Sequence, residues 1–255
     1  MTCVRHVSAS LSSASQLTVT GDFTYCIWVK PNSGEYGAGT DKAILGWGST
    51  GGTSEGFNIA VLAAANTTLQ AFVFRNGGSE LQGVNALTGS DTSWVCIALR
   101  HTSGSASYDI SFRKENVTTW TTTNVSLTTQ ITAAGSIFIG TDQFTENAAD
   151  SDSRHFFCQA VRMSDATLLT ASQGIDSAPA GTNLHWMRLL DSTTATTNGG
   201  TAGNWTSAGT LQTAATQPTE GATIDVSLSD TPAVGDSMVT SSEFGRVLGP
   251  QYRTF

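Results

Sequence analysis

Charge is what this chain has least of. Asp, Glu, Lys and Arg make up only 13% of its 255 residues, against about 25% in an ordinary globular protein. The balance is acidic, with a net charge of −8, which excludes the basic stripe that nucleic-acid binding needs. Ser, Thr, Gly, Ala and Asn replace the missing ions, so the expected surface is neutral and rich in hydroxyls. Such a surface lacks the charge repulsion that keeps monomers apart. Long apolar runs are missing as well. No stretch approaches the ~18 residues of a membrane-spanning helix, and "TCVRHVSAS" after Met1 has no apolar leader core. The expectation is a chain either made without a signal peptide or trimmed, whose N-x-[ST] sequons at Asn66, Asn116, Asn124 and Asn204 stay unglycosylated in the absence of a signal. Cys3, Cys26, Cys96 and Cys158 show no C-x-x-C spacing, which argues against zinc. The last three lie in apolar patterns, "YCIW", "VCIA" and "FCQA", and are expected to be buried free thiols packed as small hydrophobes, with disulfides as the alternative.

Catalytic and nucleotide-binding signatures lack their context. There is no phosphate-binding G-x-x-x-x-G-K-[ST]; "GWGSTG" (46–51) and "GTSEG" (52–56) spell G-x-G-x-x-G and G-x-S-x-G, but an expected strand at 57–62 follows them where either motif needs a helix. His6, His101, His155 and His185 lie on or beside strands, away from any recognisable nucleophile, and read as structural.

What is present is strand. In "FTYCIWVKP" (23–31), Phe23, Tyr25, Ile27 and Val29 alternate with Thr24, Cys26, Trp28 and Lys30. The period is two and the second face is not fully polar, which suits a strand with that face partly covered. Pro31 ends it. Further strands are expected at 43–47, 57–62, 69–75, 94–101, 108–114, 136–140 and 155–163, separated by turns such as "RNGGS" and "HTSGSAS". This spacing indicates a sandwich or a barrel. The expected core comprises Phe23, Ile27, Leu45, Phe57, Phe72, Val95, Ile97, Leu99, Ile137, Phe157 and Val161. One short helix is expected at "SDATLLTASQ", capped by Ser164 or Asp165, anchored by Leu168 and Leu169 and stopped at Gly174. Composition changes near Gln217, which sets the expected division into a domain over 1–216 and an extended arm over 217–255 with one strand at "TIDVSL".

The ordered motifs "FTYCIWVKP", "ILGWG", "GF", "WVCIALRH", "SIFIGT" and "FFCQAVRMSDATL" resemble the concanavalin A-like lectin/glucanase superfamily, especially its laminin-G-like and pentraxin-like members. Phe23, Trp28, Pro31, Trp94, Ala98, Leu99, Ile139, Gly140 and Val161 stand where that pattern places them, and the later "LHWMRLLD" and "GNW" match flanking elements. The resemblance covers roughly 8–213. It implies an all-β, two-sheet antiparallel jelly-roll sandwich with one short helix and an extended C-terminal arm, in which Trp28 and Pro31 are structural.

The resemblance also supplies candidate sites. Glucanases of the superfamily place carboxylates on alternate strand residues, about 5–5.5 Å apart in retaining enzymes. Here Glu35, Asp41, Glu55, Glu80 and Asp91 fall in expected loops and Asp109 is alone on its strand, so no enzyme is expected. Related jelly rolls often hold calcium at a loop edge. Asp142, Glu146, Asn147, Asp150 and Asp152 in "TDQFTENAADSDSR" offer oxygen ligands, with a solvated acidic loop as the alternative; no other cofactor is expected. For carbohydrate, Trp47, Trp120 and Trp205 are candidate platforms amid Gly, Thr and Asn, against edge-of-sandwich packing. The functional expectation is a non-enzymatic virion structural protein, a capsid decoration (cement) protein or tail-fibre component of a tailed phage. Its partners would be copies of itself and other virion proteins, as a homo-oligomer with no nucleic acid and no membrane. The alternative is an extracellular lectin-like module that binds host glycans; a glycoside hydrolase comes last.

The tail "SSEFGRVLGPQYRTF" carries the aromatic groups Phe244, Tyr252 and Phe255 that the preceding segment lacks, clustered with Val247 and Leu248, and Arg246 and Arg253, the only basic residues after Arg188. Gly245, Gly249 and Pro250 oppose a regular helix. This composition suits an assembly arm docking on a neighbouring subunit better than it suits disorder. Deleting residues 244–255 is expected to leave the jelly roll folded by circular dichroism and to weaken self-association. A truncated chain that assembles as the full chain does would sink the arm.

Overall fold

The computed structural model describes residues 2–18, 20–37, 39–49, 54–62, 67–142 and 148–219. The chain divides into two units, Met1–Ala222 and Thr223–Phe255. The second, with the arm residues Phe244, Arg246, Leu248, Tyr252, Arg253 and Phe255, lies outside the described residues. Strands run, in chain order, over β1 (Cys3–His6), β2 (Ser10–Ser13), β3 (Leu17–Thr18), β4 (Phe23–Pro31), β5 (Lys42–Gly48), β6 (Gly56–Val61), β7 (Leu69–Arg75), β8 (Glu80–Leu87), β9 (Val95–His101), β10 (Ser107–Lys114), β11 (Thr121–Ser126), β12 (Ala134–Gly135), β13 (Ile137–Ile139), β14 (Ser151–Gln159), β15 (Asn183–Met187), β16 (Trp205–Ala208) and β17 (Gln212–Ala214). The helix α1 (Asp165–Gln173) stands between β14 and β15.

The first sheet has the order β11-β10-β9-β4-β14-β1-β17, with β15 also paired to β14; the second has the order β16-β2-β13-β5-β6-β7-β8. The ladders are antiparallel. This is the all-β, two-sheet jelly-roll sandwich with one helix that the strand spacing and the resemblance imply.

The alternation in "FTYCIWVKP" now has its cause. β4 is central in its sheet, so both of its faces are covered. Phe23, Tyr25, Ile27 and Val29 point between the sheets, where they join Leu11, Trp47, Phe57, Ile59, Ile137 and Trp205. Cys26 and Trp28 point the other way, into a second cluster with Trp94, Cys96, Phe157, Met163, Leu168 and Ala171 beneath α1. Each large side chain fully buried in this way contributes roughly 1.5–3 kcal/mol relative to exposure. Trp28 is buried, and its Nε1 donates to the Ser172 carbonyl at 3.0 Å, so it is structural.

α1 forms for the expected local reasons. The Ser164 hydroxyl accepts from the Thr167 N–H, and Gly174 caps the other end, its N–H donating to the Thr170 carbonyl. Leu168 is buried, whereas Leu169 is only half-buried. Arginines of the first sheet hold the helix segment in place. Arg100 donates to the Met163 carbonyl at 3.0 Å and pairs with Asp165 at 2.6 Å. Arg113 donates to the Ser172 hydroxyl at 3.0 Å, with its guanidinium 4.6 Å from the Trp28 ring centre. Arg154 donates to the Ile175 carbonyl at 3.2 Å and to the Arg188 carbonyl, and pairs with Asp176.

Three expectations need correction. The last long strand covers 151–159, not 155–163. "SDSR" has no apolar alternation to announce a strand, but β1 on one side and β4 on the other supply its ladders. The chain leaves the sheet after Gln159, where the Thr24 hydroxyl donates to the Val161 carbonyl and accepts from the Met163 N–H. Val161 is consequently 45% exposed and not core. Phe72 is buried in a satellite cluster with Ala60 and Phe74 instead of the main core. Phe157→Ala is expected to lower stability by about 3–5 kcal/mol in urea titration, whereas Val161→Ala is expected to stay within about 0.5 kcal/mol. Equal losses at both positions would contradict this packing.

Candidate functional site

The polar start of β14 builds a cleft at one end of the first sheet. Cross-strand register sets Arg5 of β1 opposite Asp152 of β14, and Asp152 opposite Lys30 of β4. Arg5 grips Asp152 with a two-pronged ion pair, Nε–Oδ1 2.7 Å and Nη2–Oδ2 3.0 Å. Asp150, just before the strand, accepts from the Ser8 N–H at 3.1 Å, and its carbonyl accepts from the Asn32 N–H at 3.0 Å. Asn32 in turn caps the single turn at Ser33–Glu35, its side chain accepting from Gly34 N. The result is a cleft of about 230 Å³ lined by Arg5, Lys30, Asn32, Ser33, Asp150 and Asp152, among others. Partial burial, and then the Asp150 charge, raise the Glu35 carboxyl above its ordinary value.

Two cations face two carboxylates here, so the cleft is close to neutral. Asn32 and Ser33 add hydrogen-bonding groups without charge. Such a lining suits a small polar neutral ligand better than an ion. Its volume lies below the ~300–1,000 Å³ of typical drug-sized sites.

Asp150 and Asp152 are alternate residues lining one cleft, an arrangement hidden while "SDSR" reads as loop. Asp152 is gripped at both oxygens by Arg5, whereas Asp150 accepts from the Ser8 N–H through Oδ1. Other acids are engaged likewise: Glu55 by Arg75 at 3.0 Å, Asp91 by Lys114 at 2.6 Å, and Asp109 by Arg162.

The remaining candidates scatter. Trp47 and Trp205 are buried between the sheets, so neither presents a ring face to solvent as a sugar platform. Trp205 instead donates from Nε1 to His185 Nδ1 at 3.0 Å. Trp120 is half-buried at the edge of the helix-side cluster, its ring centre 5.4 Å from the Arg113 guanidinium. Of the calcium candidates, Asp152 lies on a strand in the grip of Arg5, Asp150 borders the cleft, Asp142 stands apart from both in the chain, and Glu146 lies outside the described residues. Among the described residues no group of three or more His, Cys, Asp or Glu is placed to hold a metal. Arg5, Lys30 and Asn32 are the cleft residues that motif reading passes over, since no signal in one sequence joins residue 5 to residue 152.

The fold is that of the lectin-type jelly roll, in its concanavalin-like and pentraxin-like form. No protein-family model matches the chain, and no curated protein matches its sequence. Among solved structures, a heptameric SAP-like pentraxin from Limulus polyphemus matches with a TM-score of 0.52 at 12% identity, over 85% of this chain and 91% of that one. A Bacteroides ovatus protein assigned to carbohydrate binding matches with a TM-score of 0.54 at 15% identity, over 87% of this chain and 62% of that one. The enzymatically active domain of tailspike protein 2 from bacteriophage CBA120 matches with a TM-score of 0.51 at 9% identity, over 71% of this chain and 28% of that one. At these identities the shared property is the fold. Among the described residues, no helix is long and apolar enough to cross a membrane.

His6, on the cleft wall, leads to a pH prediction. Burial lowers the folded-state pKa of His6, His155 and His185 to about 4. The unfolded chain binds protons on these rings near the ordinary ~6.5, while the folded chain resists until about 4. Stability is therefore full above pH ~6.5 and is expected to fall as the pH drops from there toward 4. At His185 protonation also removes the acceptor that Trp205 uses. Urea midpoints measured across this window check the slope; a flat profile would mean that the rings titrate freely in the folded state.

Proposed function

We propose that this chain is a non-enzymatic recognition and structural module of a virion, a capsid decoration protein or a tail-fibre component of a tailed phage. The observation that carries the non-enzymatic half is the engagement of Asp152, whose two oxygens both lie in the fork of Arg5, so that the cleft offers no pair of free carboxyls. A retaining glycosidase needs one carboxyl free to attack and another free to donate a proton. The virion half is supported by the occurrence of this fold in a phage tailspike, an analogy of fold, and by the character of the exposed strands. β11 presents Thr121, Thr122, Thr123 and Asn124, and β16 presents Thr206, Ser207 and Ala208, all exposed and uncharged. A hydroxyl-rich neutral face lacks the repulsion that opposes packing against neighbours.

A second reading, glycan recognition, is favoured by the charge-balanced cleft. Arg5, Lys30, Asn32 and Asp150 place donors and acceptors around a small polar space, and a carbohydrate-binding assignment occurs within this fold.

Immunogold labelling of particles purified from the source is the direct test. Labelling at regular positions is the expected result, and particles free of label would overturn the virion reading. A glycan array decides the second reading: binding lost in Asn32→Ala supports it. Turnover of a β-glucan that disappears in Asp150→Asn would overturn the non-enzymatic reading.

A further inference from the structure

Cys26 on β4 and Cys96 on β9 lie on the helix-facing side of adjacent strands. Cys26 stands opposite Ala98 and Trp28 opposite Cys96, so the two cysteines are diagonal neighbours in the ladder. Their sulfurs are 3.2 Å apart. Both are fully buried, and both are free thiols. We propose that Cys26 and Cys96 are a disulfide site, and that a chain folded under oxidising conditions carries a covalent bond between its central strand and the neighbouring β9.

The geometry selects this pair over the other combinations. A disulfide bond is about 2.05 Å long and spans Cα atoms up to about 7 Å apart, near the ~7–8 Å of diagonal ladder neighbours, so the sulfurs close by about 1 Å with a small approach of the two strands. Cys158 faces the opposite side of the sheet, in the cluster between the sheets. Cys3 is on β1, which β14 separates from β4. Two strand spacings put it about 9–10 Å from β4, beyond the ~7 Å between Cα atoms that a disulfide spans.

The chemistry fixes when the bond forms. Joining the thiols releases two electrons and two protons. A small-molecule disulfide takes them up through a mixed disulfide and leaves as two thiols. The attacking group has to be a thiolate. In the folded protein burial, and then the Cys96 thiol beside it, hold the Cys26 thiol well above its ordinary value. Met163, Leu168 and Ala171 close the same cluster from the helix side. The native dithiol is therefore sealed from oxidant, and the bond forms during folding, before α1 covers the site. The redox state of the pair then records the compartment in which the chain folded.

The test uses the full chain, unfolded and refolded with oxidised and reduced glutathione in one arm and with excess dithiothreitol in the other. After oxidative refolding the thiol titre in denaturant is expected to fall from the four of the reduced chain to half that number. Peptide mapping is expected to give a Cys26–Cys96 link, and Tm is expected to rise by roughly 5–15 °C over the dithiol form. Folded dithiol protein incubated with the same oxidant is expected to remain reduced. Cys26→Ala and Cys96→Ala each remove the link; if either fails to fold, the wild-type map decides alone. An unchanged thiol titre, a link through Cys3 or Cys158, or stable glutathione adducts in place of the link would overturn the proposal.

Discussion

The covered face of the first sheet depends on buried guanidinium groups donating into the segment that carries α1. Arg100, Arg113 and Arg154 are at most 3% exposed. An arginine cannot shed its charge at any relevant pH, so each needs a partner in place. Arg100 and Arg154 have Asp165 and Asp176 as well as backbone carbonyls. Arg113 lies between the Trp28 and Trp120 rings and donates to the Val117 carbonyl and the Ser172 hydroxyl. All three Nε atoms are buried without a hydrogen-bond partner. Desolvation offsets much of the attraction in such arrangements. Their effect is on position: a carbonyl at the wrong place would leave a buried cation unanswered.

From this constraint the second face of β4 follows. Trp28, Cys26 and Phe157 are core residues because the arginines bring α1 over them. The bulge in β14 belongs to the same arrangement. Register shifts between Arg154 and Phe157 opposite β4, and His155, at φ 50, donates through Nε2 to the Ala171 carbonyl of the helix. β1 pairs with β14 before this irregularity and β15 pairs after it. One bulge thus sets where the sheet changes partner and ties the helix to the same place.

The low charge content has a consequence beyond a neutral surface. Several of the ions the chain does have are turned inward or paired: Arg100, Arg113 and Arg154 under the helix, Arg75 on Glu55, Arg5 on Asp152. That leaves strands such as β11 and β16 with hydroxyl and amide groups toward solvent, and a cleft whose charges balance. Both features suit recognition of neutral polar partners, and both arise from the same economy of charge.

The sequence by itself determined the strands with apolar alternation, the helix with its Ser164 cap and Gly174 stop, and the class of fold. These are local signals: period two on β4, β9 and β10, turn residues between them, and an N-cap hydroxyl three residues before its donor. Tertiary structure alone decided which face of each strand is core, why Trp47 and Trp205 are sealed between sheets, and that "SDSR" is a strand at all. Its ladders come from residues 3–6 and 28–31, far away in the chain. The cleft is illegible for the same reason. Arg5 and Asp152 are 147 positions apart, and their ion pair exists only because two antiparallel ladders set β1, β14 and β4 side by side.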